Sequence, residues 1–261
     1  MTKTKITLIC LDKDDILFKQ MHDLYSKTHD IQVWEASQNI GILESTDTAV
    51  VLPAIGRFSI GQTINYFDNA IDIIVESGKF KRVILLSSGR VYGTTDSPTA
   101  LFTEVAPYKP YDKKSSDMAM IENAFIFKYK RFSDKFPLVV FRVCEIISEE
   151  LIKEMTEIIK SHSTRILDYT KFNFIFIADV LQAIWVASVS SFAGKKYNIT
   201  SREVFSYEDI YDLVADGMIK KTTEPPAKYN RLDGSLMTSE LKWEAYTPIK
   251  EIIISLKKEN E

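Results

Sequence analysis

Short apolar runs rich in β-branched residues recur along this chain of 261 residues, and they constrain its fold more than any other feature. The runs are residues 5–10, 31–34, 48–53, 81–88, 137–144 and 173–179. Runs that are apolar on both faces are typical of strands in a buried parallel sheet, because helices cover both faces of such a sheet. Apolar residues at steps of three and four predict helices between them, over residues 58–76, 115–130, 151–161, 180–191 and 206–216. Alternating strands and helices predict an α/β fold with a doubly wound parallel sheet.

The pattern changes after about residue 195. Residues 1–195 carry the alternating strands and helices and predict one doubly wound domain. Residues 196–261 include Pro225 and Pro226, which break regular structure, and end in a short charged tail. This part of the chain predicts a small C-terminal lobe that packs on the first domain rather than folding independently.

Charge and residue usage exclude several classes of partner. The chain has 33 Lys and Arg against 36 Asp and Glu, a net charge of −3, so no general basic field attracts nucleic acid or a membrane surface. Its apolar stretches are shorter than the roughly 18 residues that a membrane span needs. Cys10 and Cys144 lie inside apolar runs, which predicts reduced core thiols in a cytoplasmic protein. The three histidines have no companion at ligand spacing, so no metal site is predicted.

Residues 81–122 contain the candidate catalytic residues. The strand that ends at Ser88 places a hydroxyl at the carboxyl edge of the sheet, where open α/β sheets bind ligands. A helix predicted to begin near Tyr111 carries Lys114 in its first turn. An ammonium group one turn from a phenol lowers the phenol pKa, so the pair can act as a general acid and base. Ser88 would orient the reacting oxygen. The alternative is a helix N-terminus with solvated lysines.

Seven motifs follow one another in the order found in extended short-chain dehydrogenases/reductases. They are SSGRVYG (87–93), FTEVAP (102–107), PYDKKSSD (110–117), VVFRV (139–143), FIFIADVLQAI (174–184), YNITS (197–201) and SELKWEAYTP (239–248). Over residues 81–250 the chain resembles the NAD-dependent epimerase/dehydratase group of that family, which acts on nucleotide sugars. The resemblance implies a Rossmann-like sheet, a nucleotide-sugar substrate, NAD or NADP as cofactor if the chain is active, and a homodimer formed through the helices that begin near residues 58 and 111.

The chain departs from this family at the turn that binds the cofactor. The family has a GxxGxxG turn after its first strand, whose glycines let the backbone approach a diphosphate. Here Cys10, Lys13 and Ile16 stand at the glycine positions, and aspartates at 12, 14 and 15 lie between them. Side chains would fill the space, and carboxylates would face the diphosphate.

Further departures concern the adenosine and substrate positions. Glu35 stands where an acidic residue would hold the adenosine ribose, although a solvated carboxylate at a strand end is the favoured explanation. Only about a dozen residues separate it from the next strand, too few for the strand and helix that the family has there. Glu145 and Ser148 replace the Asn and Gly that contact the nucleotide sugar in the family.

The catalytic motifs differ as well. The family spaces its pair as YxxxK, whereas Ser115 stands four residues after Tyr111 and lysines stand at the second and third positions. Members that perform 4,6-dehydration carry Asp-Glu after the hydroxyl residue, and this chain has Gly89 and Arg90. The resemblance therefore permits 4-epimerisation or 4-keto reduction rather than dehydration.

Three interpretations remain open. The first is a divergent family member with impaired or lost dinucleotide binding and no cofactor. The second is an active NAD(P)-dependent nucleotide-sugar epimerase or reductase that uses Ser88, Tyr111 and Lys114. The third is a non-catalytic partner subunit. Departures in the glycines, in the spacing of the catalytic pair and in the length of the domain favour the first interpretation and leave enzymatic activity undecided.

Overall fold

A computed structural model describes residues 5–11, 13–27, 29–35, 47–52, 60–77, 80–132, 137–160, 169–190, 194–215 and 228–259. Its strands are β1 (Lys5–Cys10), β2 (Asp30–Glu35), β3 (Thr48–Val51), β4 (Arg82–Ser88), β5 (Leu138–Val143), β6 (Glu145–Ile147), β7 (Lys171–Phe176), β8 (Lys196–Ile199), β9 (Val204–Phe205) and β10 (Tyr229–Asn230). Its helices are α1 (Ile16–Ser26), α2 (Ile60–Ser77), α3 (Lys113–Tyr129), α4 (Glu149–Lys160), α5 (Ile177–Val189), α6 (Tyr207–Val214), α7 (Ser235–Leu241) and α8 (Ile249–Glu259).

Within the described residues, the main sheet has six strands in the order β2-β1-β3-β4-β5-β8. β1 pairs in parallel with both β2 and β3, and β3 pairs in parallel with β4. A second sheet has the order β10-β7-β6, with β9 antiparallel to β7. The predicted α/β class with a parallel sheet is therefore confirmed. The short strands β6, β8, β9 and β10 are not among the predicted elements, because β6, β9 and β10 have only two or three residues and the polar Asn198 interrupts β8.

The chain forms two compact units. The first comprises Met1–Val91, Pro110–Arg142 and Ile184–Tyr197, and the second comprises Tyr92–Lys109, Val143–Ala183 and Asn198–Glu261. Each unit draws on three stretches of chain, and the division at residue 195 stays a prediction. Pro225 and Pro226 lie outside the described residues. Among the described residues, every helix is too short or too polar to span a lipid bilayer.

The core of the first unit lies between its strands and the helices α2 and α3. Trp34, Tyr66 and Phe67 are buried in it together with Phe125 and Tyr129. The rings of Phe67 on α2 and Phe125 on α3 meet edge to face, with their centroids 5.6 Å apart. α3 also contacts β4, which carries Ser88.

The core of the second unit surrounds β6 and β7. Phe172 and Phe174 of β7 are buried against Ile152 of α4, Ile210 of α6 and Ile253 of α8. Burying side chains of this size is worth about 1.5–3 kcal/mol each, so this cluster supplies the unit with its own hydrophobic stabilisation.

Candidate functional site

Ser88 is the last residue of β4, and a short 3-10 turn over Gly89–Tyr92 follows it. The Ser88 hydroxyl oxygen accepts a hydrogen bond from the backbone N–H of Arg90 at 3.2 Å. The side chain of Arg90 is 9% exposed, so the turn directs a guanidinium group into the protein rather than into solvent. A buried cation of this kind needs hydrogen-bond acceptors nearby.

Tyr111 supplies one of these acceptors. Arg90 Nη1 donates to the Tyr111 hydroxyl at 3.1 Å and lies 3.7 Å from Oδ2 of Asp112. Tyr111 is 39% exposed, so its ring is accessible beside a buried positive charge. The structure thus brings Ser88 and Tyr111 together through a third residue, Arg90.

Tyr111 precedes α3 instead of lying on it. Asp112 is the N-cap of the helix, and its carboxylate accepts the backbone N–H of Ser115 at 2.6 Å. The Ser115 hydroxyl in turn accepts the N–H groups of Asp112 and Tyr111, each at 3.0 Å. This reciprocal capping box fixes the helix start at Lys113. The predicted helix is correct to within two residues, but Tyr111 lies outside it, so helical spacing does not relate Tyr111 to Lys114.

Lys114 lies in the first turn of α3 with its side chain exposed. Burial opposes ionisation of Asp112, but hydrogen bonds from Ser115 and the charges of Arg90 and Lys114 outweigh it and hold the pKa of Asp112 below its usual value. Lys114 therefore contributes to the field at the helix N-terminus. Catalytic roles for Ser88, Tyr111 and Lys114 stay a prediction.

The turn after β1 uses its charged residues to build α1. The Asp15 carboxylate caps the helix by accepting the backbone N–H of Phe18 at 3.1 Å. Asp14 forms an ion pair with Lys19 at 2.8 Å. Lys13, at the second glycine position, forms an ion pair with Glu35 at 3.1 Å. Asp12 lies outside the described residues.

A buried tyrosine lies at the carboxyl ends of β1 and β3. Tyr66, on α2, is 2% exposed, and its hydroxyl donates to the carbonyl of Ile9 at 2.8 Å and to that of Leu52 at 3.3 Å. Burial holds the pKa of this phenol well above its ordinary value, with a further rise from Cys10. The apolar stripe of α2 predicts that this helix packs against the sheet. It does not predict the contact of the Tyr66 hydroxyl with β1, because that contact depends on the tertiary fold.

The crevice where the strand order reverses is the expected ligand site of an open α/β sheet. β2 lies on one side of β1 and β3 lies on the other, so the reversal occurs between β1 and β3. Tyr66 occupies the edge of the sheet at this point, and Asp15 already bonds an N–H of the neighbouring helix. A dinucleotide needs these N–H groups for its diphosphate. Among the described residues of this turn, Asp15 therefore takes up one of the N–H groups to which a diphosphate would bind.

Glu145 and Ser148 have local partners within the second unit. Glu145 accepts a hydrogen bond from the Tyr207 hydroxyl, and the Ser148 hydroxyl accepts the backbone N–H of Leu151 at 3.2 Å in the first turn of α4. Asp179 is the third residue of α5, and its Oδ2 accepts the backbone N–H of Thr247 at 3.1 Å. Each of these three polar side chains therefore has a structural task.

In the part of the chain that the structure describes, no three His, Cys, Asp or Glu side chains form a group that could hold a metal ion.

Comparisons with known proteins identify the fold. A dTDP-glucose 4,6-dehydratase from Bacillus anthracis str. Ames in complex with NAD is 16% identical, covers 98% of this chain and 96% of its own, and superposes with a TM-score of 0.76. A UDP-N-acetylglucosamine 4-epimerase from Bacillus cereus is 13% identical, with coverages of 98% and 96% and a TM-score of 0.76. A dTDP-glucose 4,6-dehydratase from Streptomyces venezuelae with NAD is 14% identical, with coverages of 98% and 98% and a TM-score of 0.77.

No family model matches the sequence, and no curated protein matches it. At identities this low, the similar structures establish the fold alone. The fold is the Rossmann-like one shared by these epimerases and dehydratases, as the sequence motifs indicate.

Proposed function

We propose that this chain is a divergent relative of the nucleotide-sugar 4-epimerases and 4-ketoreductases that no longer binds a dinucleotide and does not transfer hydride. The observation that carries the proposal is the Asp15 carboxylate, which accepts the Phe18 N–H at 3.1 Å at the N-terminus of α1. In dinucleotide-binding folds, the diphosphate lies at this helix end and takes up its free N–H groups. The Asp15 carboxylate already occupies the anion position at this helix end. A diphosphate would therefore have fewer N–H donors to bind and would be repelled by the negative charge of Asp15.

Two features of the first unit support the same proposal. The hydroxyl of Tyr66 bridges the carbonyls of Ile9 and Leu52 at the reversal point of the sheet. In addition, about a dozen residues connect β2 to β3, too few for the strand and helix that the common dinucleotide-binding order 3-2-1-4-5-6 places there.

Thermal-shift titrations with NAD⁺, NADP⁺, UDP-sugars and dTDP-sugars test the proposal. A ligand present at 100 times its Kd adds about 2.7 kcal/mol of stability, so a specific ligand gives a clear rise in Tm. We expect no rise with either dinucleotide, and the Bacillus anthracis dehydratase serves as a positive control for NAD. A saturable rise with NAD⁺ or NADP⁺ would overturn the proposal. A rise with a sugar nucleotide alone would indicate a binding role.

A second candidate function is an active NAD(P)-dependent epimerase or reductase. The juxtaposition of Ser88, Arg90 and Tyr111 at the carboxyl end of β4 favours it, because a hydroxyl, a buried cation and a phenol could together bind a reacting oxygen. Lys114 would then adjust the field around Asp112 and Tyr111. This function requires a nicotinamide cofactor, so the dinucleotide titrations decide between the two candidates.

A homodimer is part of the proposal. The helices invoked by the sequence resemblance begin at Ile60 and Lys113, and α3 exposes Met120 at 49% and Phe127 at 69%. These two residues are seven apart and share one helix face, which supports a contact surface there. Sedimentation velocity tests it: Phe127→Glu should shift a dimer towards monomer. If the unmodified chain and Phe127→Glu both sedimented as monomers, the proposed homodimer would be contradicted.

The proposal includes a cytoplasmic location and a nucleotide-sugar-like ligand. The location is supported by two free, buried cysteines, as expected in a reducing compartment. The ligand is supported by the names of the structurally similar enzymes. Fractionation of the source cells and the sugar-nucleotide titrations test these two points separately.

A further inference from the structure

The second unit contains a cavity of about 580 Å³ that the proposed function does not use. It lies among the turn after β8, the turn after β10, the first turns of α7 and the segment that follows α7. Small-molecule sites in proteins measure about 300–1,000 Å³, so this cavity has the volume of a ligand site.

Apolar side chains form part of the lining. Leu101, Leu232 and Trp243 contribute to it. The indole N–H of Trp243 donates to Oε1 of Gln182 at 3.1 Å, and the backbone N–H of Leu232 donates to Asn173 Oδ1 at 2.8 Å. Both residues are therefore fixed in place, and this surface of the cavity is preorganised.

Arg231 and Asp233 provide complementary polar groups in the same lining. Arg231 belongs to the lining, and its Nη1 donates to the carbonyl of Pro98. Asp233 accepts the backbone N–H of Ser235 at 2.9 Å through Oδ1. A guanidinium group only donates and a carboxylate only accepts. A ligand that satisfies both must offer acceptors and donors side by side.

The charges around the cavity balance. Arg202 forms an ion pair with Glu244, which leaves Arg231 against Asp233. Two cations thus stand against two anions, and no excess positive charge attracts a phosphate. Thr200, Ser235, Thr238 and Ser239 also belong to the lining.

We infer that this cavity binds an uncharged, polyhydroxylated molecule of the size of a mono- or disaccharide. A hydroxyl both donates and accepts, so neighbouring hydroxyls on one ring satisfy Asp233 and Arg231 together. The C–H face of the same ring lies against Leu101, Leu232 and Trp243. The site belongs wholly to the second unit and is independent of dinucleotide binding by the first.

Saturation-transfer NMR on the full chain tests the inference, with methyl glucoside, N-acetylglucosamine, maltose and UDP-glucose as probes. We expect transfer to the ring protons of at least one neutral sugar. Ser235→Trp places a large side chain at an exposed position in the lining and should abolish the transfer, whereas Ser26→Trp, at an exposed position in the first unit, should leave it unchanged. Equal melting temperatures of the two variants exclude misfolding as the cause.

A second variant tests the polar contact itself. Asp233→Asn keeps an oxygen to accept the Ser235 N–H but replaces a charged acceptor by a neutral one, and about five- to tenfold weaker sugar binding is expected. No transfer to any neutral sugar, transfer that persists in Ser235→Trp, or transfer confined to UDP-sugars would each overturn the inference. Adding NAD⁺ to the sample distinguishes the two proposals, because transfer to its adenine or nicotinamide protons would contradict the proposed function, whereas loss of transfer to the neutral sugars would contradict this inference.

Discussion

Replacing Glu122 tests how the elements that carry the candidate site are held together. Glu122 lies on α3 with a fully buried side chain, and Arg142 on β5 is 1% exposed. Arg142 donates to Oε1 of Glu122 from Nε at 3.1 Å and from Nη2 at 2.8 Å, while Ser87 on β4 donates to Oε2 at 2.6 Å. One carboxylate thus joins α3 to β4 and β5, within the unit that contains Ser88 and Tyr111.

The expected loss of stability follows from the burial of this pair. Glu122→Gln leaves the Arg142 guanidinium buried beside a neutral amide, and Lys196, 3.7 Å from Oε1, also loses an attractive charge. Breaking a buried ion pair costs about 3–5 kcal/mol. Since 1 kcal/mol corresponds to about 2–4 °C in chains of about 150–250 residues, Tm should fall by about 6–20 °C. The double variant Glu122→Leu/Arg142→Met, which removes both charges, should regain most of the loss.

Differential scanning calorimetry measures these changes. Lys113→Ala is a matched control, because Lys113 is 86% exposed and its bond to Asp117 at 2.6 Å is a surface ion pair worth about 0.2–1 kcal/mol. The prediction would be wrong if Glu122→Gln had the same Tm as the Lys113→Ala control. It would also be wrong if the double variant were no more stable than Glu122→Gln.

Four further predictions concern other positions. Tyr66→Phe removes a buried hydrogen-bond donor and should lower the free energy of unfolding in urea by about 0.5–1.5 kcal/mol; an unchanged midpoint would contradict this. Burial raises the pKa of Cys144 to about 12, so this thiol should be unreactive in the folded chain. Peptide mass spectrometry should show its alkylation by iodoacetamide at about pH 8 only after unfolding. Modification of Cys144 in the folded chain would disprove the prediction. Burial opposes ionisation of Asp209, but the hydrogen bonds from Lys171 and Ser206 outweigh it and hold the pKa of Asp209 below its ordinary value. The stability that this carboxylate adds is therefore present above about pH 4 and is lost as the pH falls further. Lys171→Met should make the free energy of unfolding depend less on pH in this acidic range. Gly93 has φ 78°, and an added Cβ would lie 1.9 Å from the backbone carbonyl oxygen of Lys109. Gly93→Ala should therefore lower the free energy of unfolding in urea by more than about 1 kcal/mol. An unchanged free energy of unfolding would contradict this strain.

The strands and long helices follow from sequence because their signal is local. The runs at 5–10 and 81–88 become β1 and β4, and the periodic segment at 58–76 becomes α2, with described residues beginning at Ile60. Burial on both faces of a parallel sheet leaves a continuous apolar run, and one-sided packing leaves a stripe. Both can be read without knowledge of the rest of the chain.

The candidate site is less predictable because side-chain contacts determine it. The capping box of Asp112 and Ser115 excludes Tyr111 from α3, so the spacing of Tyr111 and Lys114 cannot be taken as helical. Asp112 followed three residues later by a hydroxyl is the local signal for this boundary. The contact of Arg90 with Tyr111 and that of Tyr66 with β1 join residues far apart in sequence, and no local pattern encodes them.

The arrangement of the turn after β1 is the basis of the proposed loss of the cofactor, and a crystal structure of the protein grown with saturating NAD⁺ examines it directly. We expect density for the Asp15 carboxylate at hydrogen-bond distance from the Phe18 N–H and no nucleotide against residues 10–16. An ordered dinucleotide with its diphosphate at the N-terminus of α1 and Asp15 displaced would contradict it.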